Sequence, residues 1–85
     1  MEIQNSFLYG NILKVDLHGL SKEEAKAEIF HTLNSVDIRY DGIIFIHGYH
    51  GKNVLKNLVR QEIQHPIISK IVNLSAGETA YKIRK

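Results

Sequence analysis

The sequence contains no cysteine, and this absence removes several kinds of chemistry at once. A chain without cysteine forms no disulfide bond, offers no thiolate nucleophile and cannot bind zinc through sulfur ligands. Proteins in the reducing interior of a cell generally do without disulfide bonds. We therefore expect a cytoplasmic protein.

Long apolar runs are also missing. The longest purely apolar run, Ile43 to Ile46, is far shorter than the roughly 20 residues that a membrane-spanning helix needs. The first residues do not resemble a cationic and apolar leader. We expect no membrane partner.

The charge of the chain is only weakly unbalanced, since 11 Lys and Arg residues face nine Asp and Glu residues, for a formal net charge of +2. A small positive charge favours polyanionic partners without requiring them. The content of 44% hydrophobic and 24% charged residues is that of a globular protein. A chain of 85 residues predicts one domain, which buries only about 60 to 65% of its extended surface on folding.

The stretch from Lys14 to Ser21 has the pattern of a half-buried strand that runs into the start of a helix. Successive side chains of a strand point to opposite faces. The two faces would carry Leu13, Val15 and Leu17 on one side and Lys14, Asp16 and His18 on the other. An aspartate two positions before a histidine on a rigid strand can orient the imidazole, and Gly19 lets the backbone turn.

Hydrophobic periods and turn residues along the chain predict the element order βαβαββ. The predicted elements are a strand at about Ile12 to Leu17, a helix from Ser21 to near Asn34 or Ser35, a strand at Ile43 to Ile46, a helix from Lys52 or Asn53 to Pro66, a strand within Ile67 to Leu74, a turn at Ser75 to Glu78 and a strand at Thr79 to Arg84. Ser21 and Glu24 form a capping box at the first helix. The continuous apolar second strand indicates burial on both sides and a central position. Residues 1–11 are predicted as an N-terminal arm before one domain at residues 12–85.

The order of the elements also predicts where the polar loops meet. Two strands joined through a helix are almost always parallel, so the first two strands should end at the same edge of the sheet. The loops after Leu17 and Ile46 would then lie side by side, each followed by a helix N-terminus that favours a bound phosphate. Two helices on one face of a four-stranded mixed sheet make an α/β protein of the two-layer sandwich (α+β) kind. The polar face of the first strand would stay open.

Several short motifs resemble the Smr (small MutS-related) domain family. The resemblance rests on Asp16-Leu17-His18-Gly19 with Leu20 and Glu24-Ala25, on His47-Gly48 after an apolar strand, on Leu55 and Val59 in a second helix, and on the closing hairpin. It runs from about Leu13 to the C-terminus and implies a fold similar to the C-terminal domain of bacterial translation initiation factor three. It also implies nucleic-acid binding. Several members are endonucleases that nick DNA or cleave RNA, including RNA on ribosomes, whereas others only bind.

The resemblance places the family's motif residues on four positions of this chain. The aspartate and histidine of the first motif are Asp16 and His18, and the second motif, commonly His-Gly-x-Gly, begins at His47 and Gly48. Two residues separate Gly48 from Gly51 where the usual motif has one, so this loop is longer by one residue.

The catalytic candidates are therefore Asp16, His18 and His47. His18, oriented by Asp16, would exchange a proton with an oxygen of a phosphodiester, while Lys14 and the helix ends stabilise the charge on the phosphate. RNA is favoured over DNA because its 2′-hydroxyl is a built-in nucleophile that a neutral imidazole can activate. No cofactor is expected. In the plainer interpretation, Asp16 and His18 belong to a solvated strand face and His47 caps a strand end.

A second group of residues is predicted to contact the nucleic acid. The candidates are Lys14, Gly19, Gly48, Tyr49, His50, Gly51, Lys52, Lys82 and Arg84, with Arg60 and Lys85 as further basic side chains. Tyr49 could stack on a base and the basic side chains could follow a phosphate backbone, although each is equally a solvated surface charge. Three histidines and one aspartate at one edge could instead bind zinc, but two flexible turns are a poor frame and no metal site is predicted.

Two other functions stay open from the sequence. The first is an RNA- or DNA-binding adaptor without catalysis, with the ribosome as one possible location. The second is a structural or protein-interaction domain, which would show no salt-dependent binding of nucleic acid. The oligomeric state is not predicted.

Overall fold

The computed structural model of the chain describes residues 10–48 and 53–84, which follow the predicted order βαβαββ. The elements are β1 Asn11–Asp16, α1 Lys22–Ser35, β2 Tyr40–Ile46, α2 Val54–Asn57 with a π-helical continuation Leu58–Glu62, β3 Ile68–Ser75 and β4 Glu78–Ile83. Of the predicted arm at residues 1–11 only Gly10 and Asn11 are described, and Asn11 already belongs to β1. Within the described ranges, no helix combines the length and apolar character that crossing a membrane would require.

The four strands form one mixed sheet in the order β1-β2-β4-β3. β1 is parallel to β2, and β4 is antiparallel to both β2 and β3, so β3 runs in the same direction as β2. Asp16 is paired with Ile46, and Ile46 is paired with Glu78. The ends of β1, β2 and β3 and the start of β4 therefore lie at the same edge of the sheet. We call this edge, with the turns that follow these strands, the rim.

Both helices pack on the same face of the sheet, which makes the fold a two-layer α+β sandwich as predicted. One buried apolar cluster joins residues of α1, of the α2 region and of the sheet, and it includes Leu17, Ala25, Ile29, Leu33, Ile43, Phe45, Leu58, Val59, Ile63, Tyr81 and Ile83. The central position of β2 is confirmed, but its expected burial on both sides is wrong. Ile43 and Phe45 are fully buried, whereas Ile44 and Ile46 on the other face are only half-buried, because a single layer of helices covers the sheet.

The start of α1 follows from the capping box that the sequence predicts. The Ser21 hydroxyl accepts the N–H of Glu24 at 3.1 Å, and the Glu24 carboxylate accepts the N–H of Ser21 at 2.9 Å. Two N–H groups that the first helical turn leaves without helical partners are thus satisfied. The turn after β1 is thereby joined firmly to the helix that follows it.

We expect Ser21→Ala to lower the free energy of unfolding by about 1 kcal/mol, because the Glu24 N–H loses its acceptor. Urea denaturation followed by circular dichroism measures this loss. Ser21→Asp keeps an acceptor at the same position and should retain most of the stability. Equal losses in the two variants would contradict a capping role for Ser21.

The second helix departs from the regular α-helix that its sequence predicts. It continues as a π-helix over Leu58–Glu62. The hydroxyl of Tyr81, a fully buried residue of β4, donates to the carbonyl of Val59 at 2.6 Å and so occupies an oxygen within this segment. Burial raises the pKa of Tyr81 far above its ordinary value, which keeps the hydroxyl protonated and able to donate. The π-helical segment contains Arg60, whose side chain reaches the turn between β3 and β4.

Candidate functional site

Asp16 and His18 form a hydrogen-bonded pair where β1 reaches the rim. Oδ1 of Asp16 accepts the backbone N–H of His18 at 3.0 Å and lies 2.7 Å from Nδ1 of its ring. Because a carboxylate only accepts, Nδ1 carries the proton, and Nε2 of the neutral ring keeps its lone pair. The side chains of His18 and Asp16 are 70% and 53% exposed. The pair therefore presents an oriented imidazole to solvent. Because β1 ends at Asp16, His18 lies in the turn after the strand and not on the strand itself, where the sequence pattern placed it.

The pKa of the Asp16 carboxyl is lowered, first by the hydrogen bond from the His18 ring and then by the bond from the His18 backbone. A lowered pKa means that the ionised carboxylate favours the folded state. This contribution is fully present above the unfolded aspartate value of about 3.9 and is lost as the pH falls through the lowered folded value.

We expect the Asp16 carboxyl, followed by NMR, to titrate below about pH 3.9 in the wild type. In His18→Ala the side-chain donor is lost but the backbone N–H remains, so the titration midpoint should return only part of the way toward that value. Asp37 provides the control, since its pKa is lowered first by the backbone N–H of Arg39 and does not depend on His18. An Asp16 midpoint that is identical in wild type and His18→Ala would contradict the pairing.

His47 directly follows β2 at the rim, and only 5% of it is exposed. Nδ1 of its ring donates to the carbonyl of Gly48 at 3.0 Å, and Nε2 lies 2.9 Å from the hydroxyl of Thr79. The pKa of His47 is lowered, mainly by burial and further by the positive charges of Arg60 and Lys56. The ring is thus neutral at physiological pH, with both nitrogens already engaged.

The turn between β3 and β4 completes the rim, although the sequence interpretation did not place it there. The carbonyl of Gly77 accepts the N–H groups of His47 at 2.9 Å and of Gly48 at 3.2 Å. Gly48 has a positive φ of 77°, and a Cβ built on it would lie 3.5 Å from the Cβ of His18. The turns after β1 and β2 are therefore in contact distance, as the parallel pairing of their strands predicts.

The expected phosphate site at the N-terminus of α1 stays a prediction, and the local contacts disfavour it. The N–H groups of Ser21 and Glu24 are bound within the capping box, and Glu23 and Glu24 place negative charge in the first turn. Lys22 forms an ion pair with Glu62 at 2.8 Å. The capping box that starts α1 thus engages N–H groups at the helix N-terminus, where a phosphate would bind.

The predicted contact residues of the second turn are described only in part. Tyr49, His50, Gly51 and Lys52 lie outside the described residues. Gly48 is described, and its N–H is bound to Gly77, as stated above. Gly19 is exposed and has a φ of 86°, a conformation that glycine adopts readily.

The predicted basic contacts do not all reach the Asp16–His18 pair. Lys14 is exposed on the same face of β1, two residues before Asp16 and therefore about 7 Å away along the strand. Lys82 is paired with Gly42, about 13 Å from the rim end of β2. Arg84 lies farther still, and its Nε donates to the carbonyl of Pro66 at 3.1 Å. The structure thus brings Lys14 to the pair but leaves Lys82 and Arg84 toward the opposite edge.

Arg60, predicted to follow a phosphate backbone, instead turns inward. Its Nε donates to the Thr79 hydroxyl at 2.7 Å, and its Nη2 donates to the carbonyls of Glu78, at 3.2 Å, and Ser75. The sequence interpretation gave no role to Thr79 or Gly77. One signal could have found them: a helix joins β2 to β3, so the end of β3 and the turn after it are predicted at the rim by the crossover rule.

Side chains that can bind a metal are not grouped into a site in the part of the chain that the structure describes. Within residues 10–48 and 53–84, no three or more His, Asp or Glu side chains are grouped so that they could hold a metal ion. His50, one of the zinc ligands considered from the sequence, lies outside these ranges.

Comparison with known proteins gives one family match. The model of the Smr domain family matches residues 15–79 of the 85-residue chain. The matched region contains Asp16, His18, His47, Arg60 and Thr79. No curated protein and no solved structure matches the chain, so the likeness to the domain of translation initiation factor three is not confirmed.

Proposed function

Since the chain belongs to the Smr domain family, we propose that it binds nucleic acid at the rim and cleaves RNA there as an endonuclease. A Smr domain is compatible with nucleic-acid binding and nuclease-like function. The observation that carries the proposal is the 2.7 Å bond between Asp16 and the exposed ring of His18. RNA as substrate, and RNA of the ribosome in particular, are parts of this proposal.

The chemistry follows from the state of the His18 ring. Asp16 keeps the proton on Nδ1, so Nε2 can take the proton of a ribose 2′-hydroxyl. The 2′-oxygen then forms a bond to the neighbouring phosphorus, the bond from phosphorus to the 5′-oxygen breaks, and that oxygen receives the proton from the imidazolium. The products are a 2′,3′-cyclic phosphate and a 5′-hydroxyl. DNA lacks the attacking group, which is why RNA is the favoured substrate.

The neighbouring residues have separate roles in this proposal. Asp16 is a positioning residue, and His18 is the catalytic residue that exchanges protons. Lys14, on the same face of β1, supplies positive charge for the phosphate. The direct catalytic role predicted for His47 remains a prediction, and its burial with both ring nitrogens engaged supports a positioning role instead.

The test uses labelled RNA and DNA of the same sequence, with either EDTA or Mg²⁺, and measures binding and cleavage separately. Asp16→Asn and His18→Gln should retain RNA binding and lose cleavage. Matched controls are Asp37→Asn, which removes an exposed carboxylate that also accepts an N–H two residues later, and His31→Gln on the exposed side of α1. Cleavage that survives in His18→Gln would overturn the proposed catalyst.

A binding module without catalysis is the second candidate function, and a specific observation favours it. The capping box and the acidic first turn of α1 remove a group of donors that would stabilise a phosphate at the rim. In that case RNA or DNA would shift in a gel and stay intact, and Asp16→Asn and His18→Gln would bind as the wild type does. The absence of any salt-dependent nucleic-acid binding would instead indicate a protein-interaction domain.

A further inference from the structure

Three polar side chains from three different elements form a chain of hydrogen bonds beneath the rim. They are Arg60 of the π-helical segment, Thr79 of β4 and His47 after β2. We propose that Arg60 and Thr79 are positioning residues that act through His47 and hold Gly48 against His18. The consequence for cleavage rests on the proposed function, whereas the mechanical link itself does not.

The direction of each hydrogen bond follows from the groups at the two ends. A guanidinium has donors only, so Thr79 Oγ1 accepts from Nε of Arg60, at 2.7 Å. The carbonyl of Gly48 only accepts, so Nδ1 of His47 carries the proton and donates to it at 3.0 Å. Nε2 of the neutral ring then accepts from the Thr79 hydroxyl, at 2.9 Å. The Gly48 carbonyl thus fixes the tautomer of His47, and Arg60 and Thr79 complete the chain of bonds.

Burial stabilises this arrangement of hydrogen-bond donors and acceptors. Thr79 is fully buried and His47 is 5% exposed. A buried polar group that loses its partner is costly, so the reversed tautomer, which sets an unprotonated Nδ1 against the Gly48 carbonyl, is disfavoured. The lowered pKa of His47 also disfavours a second proton on the ring.

Arg60 is also linked to Gly48 through backbone groups of the turn between β3 and β4. Its guanidinium donates to the carbonyls of Ser75 and Glu78, which flank the turn between β3 and β4. Within that turn the carbonyl of Gly77 accepts the N–H groups of His47 and Gly48. The imidazole and the β3–β4 turn therefore hold Gly48 from two directions, and both connections begin at Arg60.

Gly48 lies beside the His18 side chain. The position of a Cβ on Gly48 lies only 3.5 Å from the Cβ of His18, so a shift of Gly48 changes the space in which a substrate meets the ring. A displacement of about 1 Å at a reacting centre can reduce a rate by as much as about 100-fold. Loss of the Thr79 hydroxyl should therefore affect the chemical step more than RNA binding.

The test combines Thr79→Val, which removes the hydroxyl at nearly constant volume, with Thr79→Ser, which keeps it. Long-range ¹H–¹⁵N NMR spectra assign the protonated nitrogen of each histidine ring. In the wild type we expect the His47 proton on Nδ1. In Thr79→Val, Nε2 of His47 loses its donor while the Gly48 carbonyl still holds the proton on Nδ1. We therefore expect a shifted His47 Nε2 resonance, displaced His18 resonances and an about tenfold lower cleavage rate, with RNA affinity changed less than about twofold.

Thr79→Ser should restore the wild-type His47 Nε2 and His18 resonances and the wild-type rate. Thr32→Val is the matched control, because Thr32 is also buried and its hydroxyl donates to a backbone carbonyl, that of Glu28, far from the rim. A wild-type His47 with its proton on Nε2 would overturn the inference, as would a folded Thr79→Val with unchanged His18 resonances. If the wild type does not cleave RNA, the proposed function fails, and the two spectroscopic readouts still decide the link from Arg60 to the rim.

Discussion

Replacing His18 with glutamine is expected to lower the rate of RNA cleavage by about 100-fold or more. The glutamine amide can still donate to Asp16, so the turn after β1 keeps its local hydrogen bonds. What it cannot do is accept and return a proton near neutral pH, which the proposed role of His18 requires. Single-turnover cleavage with enzyme in excess measures the chemical step, and a gel-shift titration measures RNA affinity in parallel.

The controls for this variant separate chemistry from folding. His18 is 70% exposed and lies outside the buried cluster, so the free energy of unfolding should change by less than about 1 kcal/mol. His31→Gln, on the exposed side of α1, should leave the cleavage rate unchanged. A His18→Gln protein that cleaves RNA at the wild-type rate would show that the imidazole is not the base.

The largest expected effect on stability comes from Phe45→Ala, at about 3 to 5 kcal/mol. Phe45 is fully buried on the central strand β2, and its ring meets that of Tyr81 edge-on with centroids 5.0 Å apart. Removing it opens a cavity where the two helices meet the sheet. Because a folded domain is stable by only about 5 to 15 kcal/mol, this loss is a large part of the total.

Urea denaturation measures the effect, with Ile38→Ala as a control. Ile38 is 87% exposed, so its truncation should change the free energy of unfolding by less than about 0.5 kcal/mol. A loss below about 1 kcal/mol in Phe45→Ala would contradict a core centred on β2. Tyr81→Phe then isolates the hydrogen bond to Val59, whose buried carbonyl would lose its donor at a cost of about 1 to 3 kcal/mol.

The features that the sequence predicts well depend on interactions between residues close together in the chain. Two positions separate Asp16 at the end of β1 from His18 in the turn, and the bonds between them are local. The spacing of Ser21 and Glu24 marks the start of α1. The contact between the turns after β1 and β2 is also predictable. Strands joined through a helix are parallel, so β1 and β2 end at the same edge of the sheet. These inferences need no knowledge of how distant side chains pack.

The features that were missed depend on contacts between distant parts of the chain. The π-helical winding accompanies the bond from Tyr81 to Val59, and the inward direction of Arg60 depends on Thr79; neither partner is near in sequence. The predicted phosphate site at α1 is disfavoured for a different reason. Two local rules, an acidic capping box and an anion site, compete for N–H groups at the start of the helix. The Glu24 carboxylate accepts the N–H of Ser21, and the Ser21 hydroxyl accepts the N–H of Glu24.

The most direct test of the catalytic role of His18 uses one RNA in two forms, which differ only in a 2′-deoxy substitution at the cleaved nucleotide. The protein is incubated with each form in EDTA, and mass spectrometry identifies the product ends. The expected result is a 2′,3′-cyclic phosphate and a 5′-hydroxyl from the unmodified RNA, with no cleavage of the substituted form. Equal cleavage of both forms, or RNA that is bound and stays intact, would contradict a mechanism in which His18 activates the 2′-hydroxyl.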